Sequence, residues 1–183
     1  MKITKTKLAG LLIIEPQIFN DGRGYFFESY SKTKFTDAGI DIDFVQDNQS
    51  FSHKGAIRGL HAQKAPHAQA KLVRVIQGSV LDVVVDVRKN SPTYGQYETI
   101  ELSADNQLQF LIPEGFLHGF ATLEDDTIFA YKVNNYYSKE CEVGVKWDDA
   151  TLAINWGLNK ADILISPKDE VLPLFADWDS PFN

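Results

Sequence analysis

Lys71-Leu72-Val73-Arg74-Val75-Ile76-Gln77-Gly78, running on through Val80-Leu81-Asp82-Val83-Val84-Val85-Asp86-Val87, is the stretch that reads most plainly as β-structure. Two runs rich in β-branched residues meet at Gln77-Gly78, which predicts a hairpin with a two-residue connection. Strand alternation puts Lys71, Val73 and Val75 on one face and Leu72, Arg74 and Ile76 on the other, and groups Asp82 and Asp86 with Val80 and Val84. Two acids on so apolar a strand are costly unless paired, hydrogen-bonded or facing water. Outward from this centre lie further short runs: Leu11 to Glu15, Gly24 to Tyr30, Phe44 to Gln46 and Ala56 to Arg58 before it. After it come Gln107 to Ile112, Phe116 to Leu123, Thr127 to Val133, with Phe129 and Tyr131 on one face, and Gly144 to Trp147. Asn20-Asp21-Gly22 supplies a turn, and Lys32 to Ala38 is the best short helix. Strands that follow strands, without helices between them, predict an all-β antiparallel jelly roll with a few short helices and a ligand in its interior.

The 183 residues suit one domain over positions 1–183, with no Pro/Gly/Ser-rich linker to divide them. No apolar stretch approaches the roughly 20 residues of a membrane-spanning helix, and the basic start Met1-Lys2-Ile3-Thr4-Lys5 is not followed by the apolar core of a secretory signal. A cytoplasmic protein with no membrane partner is expected. Cys141 is the single cysteine, which excludes an internal disulfide and a cysteine-rich zinc site. A net charge of −7 argues against nucleic-acid binding, although a few local cations can still hold a small phosphorylated ligand. The closing Asp177-Trp178-Asp179-Ser180-Pro181-Phe182-Asn183 is expected to fray.

Pro113-Glu114-Gly115-Phe116-Leu117-His118-Gly119 has the form Pro-x-Gly-x-x-His, a turn that swings into a strand and presents an imidazole inward. It resembles the second motif of the cupin superfamily, where the histidine often binds a metal. A metal-binding cupin also needs a His-x-His pair, because imidazoles and carboxylates suit divalent first-row metals. Here the matching segment is His61-Ala62-Gln63, an incomplete cage, so neither a metal nor another cofactor is expected.

Ala56-Ile57-Arg58-Gly59-Leu60-His61-Ala62-Gln63 and Ala68-Gln69-Ala70-Lys71-Leu72-Val73-Arg74 carry a closer likeness, together with Asp21 to Ser29, Phe44 to Asn48, Asp86 to Gly95, Tyr131 to Tyr137 and Lys168-Asp169. Taken in chain order, from about Ile14 to Asp169, they resemble the dTDP-4-dehydrorhamnose 3,5-epimerase family. The resemblance implies a cupin-like fold, a dTDP-4-keto-6-deoxyhexose substrate and no metal. It also implies a homodimer in which N-terminal strands contribute across the interface. Two departures stand out: Ala62 where members commonly have an aromatic residue, and Lys64-Ala65-Pro66-His67 in place of a double-proline loop. Alternation turns residue 62 away from the face of His61, so its effect should fall on packing.

The residues suit that chemistry on their own terms. Epimerisation beside a ketone needs a base for the α-proton, a group to hold the enolate, and an acid on the opposite face. A histidine, ordinarily titrating near about 6.5, is largely neutral at physiological pH, which makes His61 the candidate base. The resemblance adds Asp169 to orient it and Tyr131 as the acid; a phenol keeps its proton at neutral pH yet can donate to a carbanion. Lys71 suits the enolate oxygen. Arg23 and Arg58 match family positions for the nucleotide or substrate, and a guanidinium fork suits phosphate oxygens. By resemblance Glu28, Gln46, Asn48, His118, Glu142 and Lys168 line the site, and Phe26 or Tyr137 could stack on thymine or flank the sugar. His53 and His67 fit surface or loop roles. The alternatives are an epimerase for one carbon only, a metal-dependent cupin enzyme, and a non-catalytic sugar-nucleotide binding module.

Overall fold

The computed structural model describes all of residues 1–183. In chain order the strands are β1 Lys2–Lys5, β2 Leu12–Glu15, β3 Phe19–Asp21, β4 Gly24–Phe26, β5 Gln46–Ser52, β6 Ile57–Gln63, β7 Lys71–Gln77 and β8 Ser79–Asp86. They continue as β9 Tyr97–Ser103, β10 Gln109–Ile112, β11 Phe116–Thr122, β12 Thr127–Val133 and β13 Glu142–Gly144, with two short helices, α1 Lys32–Asp37 and α2 Pro167–Glu170. A six-stranded sheet runs β1-β2-β10-β7-β12-β5 and a five-stranded sheet runs β13-β6-β11-β8-β9, while β3 and β4 form a separate hairpin. Every neighbouring pair within these sheets is antiparallel. The fold is the cupin-like jelly roll that the strand pattern predicts.

Its core fills the space between the two sheets. Val73 and Val75 from β7, Phe110 and Ile112 from β10 and Phe129 from β12 meet Val80 and Val84 from β8 and Phe116 and Phe120 from β11. The outer face of the five-stranded sheet is covered as well: Ile57, Leu60, Ala62, Val83, Val85 and Leu117 pack beneath Val145, Leu152 and Trp156 from the C-terminal third. Because both its faces are covered, β8 reads as an almost unbroken apolar run. On the other side, Phe35 of α1 joins Ile14, Ile40, Leu72 and Leu111 against the six-stranded sheet.

Three expectations need correction. The two runs around Gln77-Gly78 are strands with the alternation expected, but β7 and β8 do not pair: they lie in different sheets, and the chain crosses between them at Gly78. A Cβ at Gly78 would stand 2.3 Å from Oγ1 of Thr127, so the tight glycine corner marks a sheet crossing here and not a hairpin turn. The C-terminus is tied down, with the Lys89 amide donating to the Phe182 carbonyl and Ser180 Oγ donating to the Val87 carbonyl. Finally, the expected strand set lacks β1, four mostly exposed residues, and β9, in which exposed Tyr97, Thr99 and Glu101 alternate with the inward Ile100 and Leu102.

Candidate active site

Between the two sheets, at one end of the jelly roll, a cavity of about 490 Å³ is lined by Arg58, His61, Lys71, His118, Tyr131, Glu142, Lys168 and Asp169, over an apolar floor of Phe120 and Phe129. A side chamber of about 340 Å³ shares His61, Lys71, Tyr131 and Glu142 and adds Gln46, Asn48, Gln63 and Tyr137. A depression of about 350 Å³ on the outer face of the six-stranded sheet, around Arg74 and Gln109, contains no histidine.

β6 sets the first wall. Arg58 and His61 are three residues apart, which in a regular strand would point them to opposite faces. Opposite β11, however, Phe120 pairs with Arg58 and His118 with His61, so β6 carries one residue more than its partner between them. This β-bulge puts both side chains in the cavity. It depends on Gly59, whose φ is +128° and where a Cβ would come within 2.5 Å of the Gly119 Cα. Beyond the bulge Ala62 turns back into the outer core, as alternation from His61 requires.

His61 Nε2 lies 2.7 Å from Asp169 Oδ1. Asp169 is held from its own side by α2, where its amide donates to Ser166 Oγ, the helix N-cap, and the Gly59 amide reaches its other oxygen at 3.5 Å. Burial alone would raise its carboxyl, but the hydrogen bonds from His61, Gly59 and Ser166 outweigh that and hold it below the usual carboxylate range. With Asp169 ionised and accepting Nε2–H, the imidazole keeps the lone pair on Nδ1.

The six-stranded sheet supplies the opposite wall. Lys71 opens β7 and Tyr131 sits on β12, each facing inward. Burial lowers Lys71 to about 8 against the attraction of Asp82 and Glu142. Burial raises the Tyr131 phenol, which stays a proton donor. At the rim, Arg58 donates to Ser52 Oγ at 3.0 Å and to the Phe51 carbonyl at 3.1 Å and has no acidic partner, so its charge is available. Lys168 is paired with Glu142 at 2.5 Å, and Tyr137 donates to the same carboxylate at 3.0 Å. Burial works to raise Glu142, yet these two partners lower it. Gln46 donates to Asn48 at 2.8 Å in the side chamber.

The donors do not fit a divalent cation. Gln63, at the place of a second cupin ligand, spends its amide on the carbonyls of His67 and Tyr136 and its oxygen on the Ser138 amide. The Nε2 atoms of His61 and His118 are each taken by a carboxylate.

The family model for dTDP-4-dehydrorhamnose 3,5-epimerase matches residues 5–177. The chain belongs to that family. It is 48% identical over 180 residues to dTDP-4-dehydrorhamnose 3,5-epimerase of Shigella flexneri, covering 98% of both chains. The crystal structure of the family's enzyme from Elizabethkingia anophelis superposes with a TM-score of 0.92 at 50% identity, over 97% of each chain. The dTDP-6-deoxy-D-glucose-3,5-epimerase of Legionella pneumophila, solved with dTDP-4-keto-L-rhamnose, does so at 0.93 and 45% identity, over 97% of this chain and 94% of that one.

Of the residues that the family pattern selects, the cavity and its side chamber gather His61, Lys71, Tyr131, Asp169, Arg58, His118, Glu142, Lys168, Gln46 and Asn48. Arg23 and Glu28 lie elsewhere within the single chain. Arg23 is on the exposed β3–β4 hairpin, its side chain 91% exposed and paired with Asp21 at 2.6 Å, and Glu28 is paired with Lys34. Phe26 is exposed on the same hairpin. Three residues that touch or support the cavity's side chains are given no place in the site by the sequence. Gly59 has no signal beyond being a glycine, Ser166 is visible only as a Ser-Pro helix start, and Asp82 shows only as an acid inside an apolar run.

Proposed function

We propose that the chain epimerises C3 and C5 of dTDP-4-dehydro-6-deoxy-D-glucose, giving dTDP-4-dehydro-L-rhamnose, by metal-free proton abstraction and return. One observation carries this: the His61–Asp169 pair on one sheet wall meets Tyr131 and Lys71 from the other wall across a single cavity. A base and an acid on opposite sides of a sugar ring are what inversion requires. His61 Nδ1 takes the α-proton, and the C–H electron pair moves into the C3–C4 or C4–C5 bond while the carbonyl π pair settles on O4. The imidazolium is stabilised by Asp169, and Lys71 offsets the charge on O4. Tyr131 then gives its proton to the carbon from the other face as the carbonyl re-forms. Solvent restores both groups before the second carbon reacts.

The nucleotide is the part that needs cations. Arg58, without an acidic partner, is suited to the pyrophosphate. Arg23, Phe26 and Glu28 reach a substrate if a second copy lends its hairpin, so we take the working unit to be a homodimer. The exposed Phe19, Tyr25 and Phe26 on that hairpin favour burial against a partner. The test is conversion of dTDP-4-keto-6-deoxy-D-glucose by protein pre-treated with EDTA, followed by NMR of the sugar. Undiminished conversion is expected; loss with chelator and recovery on adding one metal would sink the metal-free route.

A further inference from the structure

Asp82 has no step in the chemistry above, yet its side chain is fully buried on β8 and stands beneath the cavity floor without lining it. Its Oδ2 lies 2.9 Å from Nε2 of His118, and its Oδ1 has no hydrogen-bond partner. A carboxylate sealed between two sheets is unfavourable unless a cation is near. His118 is a poor candidate, because burial lowers its proton affinity and favours neutral imidazole. Lys71, half-buried at the start of β7 and engaged in no direct ion pair, faces the same interior.

The other groups around Lys71 are already matched. His61 on β6 and Asp169 on α2 hold each other; Glu142 on β13 is shared by Lys168 and Tyr137. Arg58 on β6 is held by Ser52 and the Phe51 carbonyl, and the Tyr131 phenol on β12 is neutral. We propose that Asp82 is a positioning residue of this site. From under the floor it holds the His118 ring by Nε2, so that Nδ1 offers an acceptor to a sugar hydroxyl, and its negative charge keeps Lys71 an ammonium. Burial is the largest influence on Lys71 and lowers it; the attraction of Asp82 comes next and restores part of the loss. Burial likewise raises Asp82; His118 and Lys71 offset only part of this, so its carboxyl stays above the usual carboxylate range, and whether it holds its charge beside His118 is what the test reads.

The inference rests on the epimerase reading for what Lys71 does, but its test does not depend on turnover. Trace acetylation of Lys71 by acetic anhydride, followed across pH by peptide mass spectrometry in the full-length protein, reports the proton on Nζ directly. Asp82→Asn keeps the shape and an acceptor for Nε2–H while removing the charge. The wild-type midpoint is expected near about 8, and the variant's at least one unit lower, a tenfold or greater loss of proton affinity. The alkaline limb of kcat should move down by the same amount, whereas a merely structural carboxylate would lower kcat equally at every pH. A labelling midpoint unchanged by Asp82→Asn overturns the proposal. Nitrogen-15 NMR of the wild-type histidines decides independently should the variant not fold: His118 protonated on Nε2 supports it. A proton on Nδ1 with Nε2 bare means that Asp82 carries the proton and is no counter-ion, which rules the proposal out. If the labelling behaves as expected but the wild type turns over no 4-keto sugar, the epimerase reading fails and the electrostatic assignment stands.

Discussion

His61 and Tyr131 lie on opposite walls of the cavity, and their parts in the reaction can be separated by what each variant leaves intact. His61→Asn removes the proposed base, so both solvent exchange at the α-carbons and inversion should fall by about 10²–10⁴-fold. Tyr131→Phe keeps the ring against Phe129, so packing survives, and a proton taken by His61 can return only to its original face. Exchange without inversion is therefore expected, scored by NMR at each carbon; inversion of both centres at the parent rate would mean that another group is the acid. At this scale the sequence is informative where residue type and chemistry coincide, as for His61, Lys71 and Tyr131. It is silent where a residue acts through a neighbour. Asp82 is a bare acid in the string Val80-Leu81-Asp82-Val83, and only the pairing of β8 with β11 brings it to His118.

Alternation along single strands predicts correctly that Val73 and Leu72 face opposite ways, and of the outcomes open to the acids of β8 the fold takes partners: His118 for Asp82, and Arg88, Ser91 and Thr93 for Asp86. Which strands become neighbours is harder to read, because a tight glycine corner such as Gly78 serves a hairpin and a sheet crossing alike. The same limit hides the bulge in β6. Strict alternation would send Arg58 and His61 to opposite faces, and nothing local to Gly59 announces the extra residue. Gly59→Ala tests that element: its Cβ would meet the Gly119 Cα and its φ is unfavourable for an L side chain. The strands must separate or the bulge slide, so a loss of roughly 2–4 kcal/mol in denaturant unfolding is expected, with activity falling further than stability explains. Full activity and parent stability in Gly59→Ala would show that the bulge does not set the site.

For the whole molecule, the proposed homodimer joins the hairpin of one chain to the cavity of the other, and mixing two impaired variants tests that pairing. In the proposed dimer, Arg23→Ala would spoil the hairpin lent to the partner, and His61→Asn the subunit's own cavity. Unfolded together and refolded as a mixture, they should form hybrids with one intact site, recovering about a quarter of parent activity if chains pair at random. No recovery in a mixture that sizes as dimers would place Arg23 and His61 in the same subunit's site. We propose that the single chain unfolds as one cooperative unit, since the apolar cluster between the sheets draws on strands of both. The most direct test of the account is incubation of the wild-type protein with dTDP-4-keto-6-deoxy-D-glucose in heavy water. It predicts one deuteron at C3 and one at C5, both carbons inverted to the L-sugar. Deuterium at neither position would contradict the epimerase assignment, and deuterium and inversion at one carbon alone would contradict its double action.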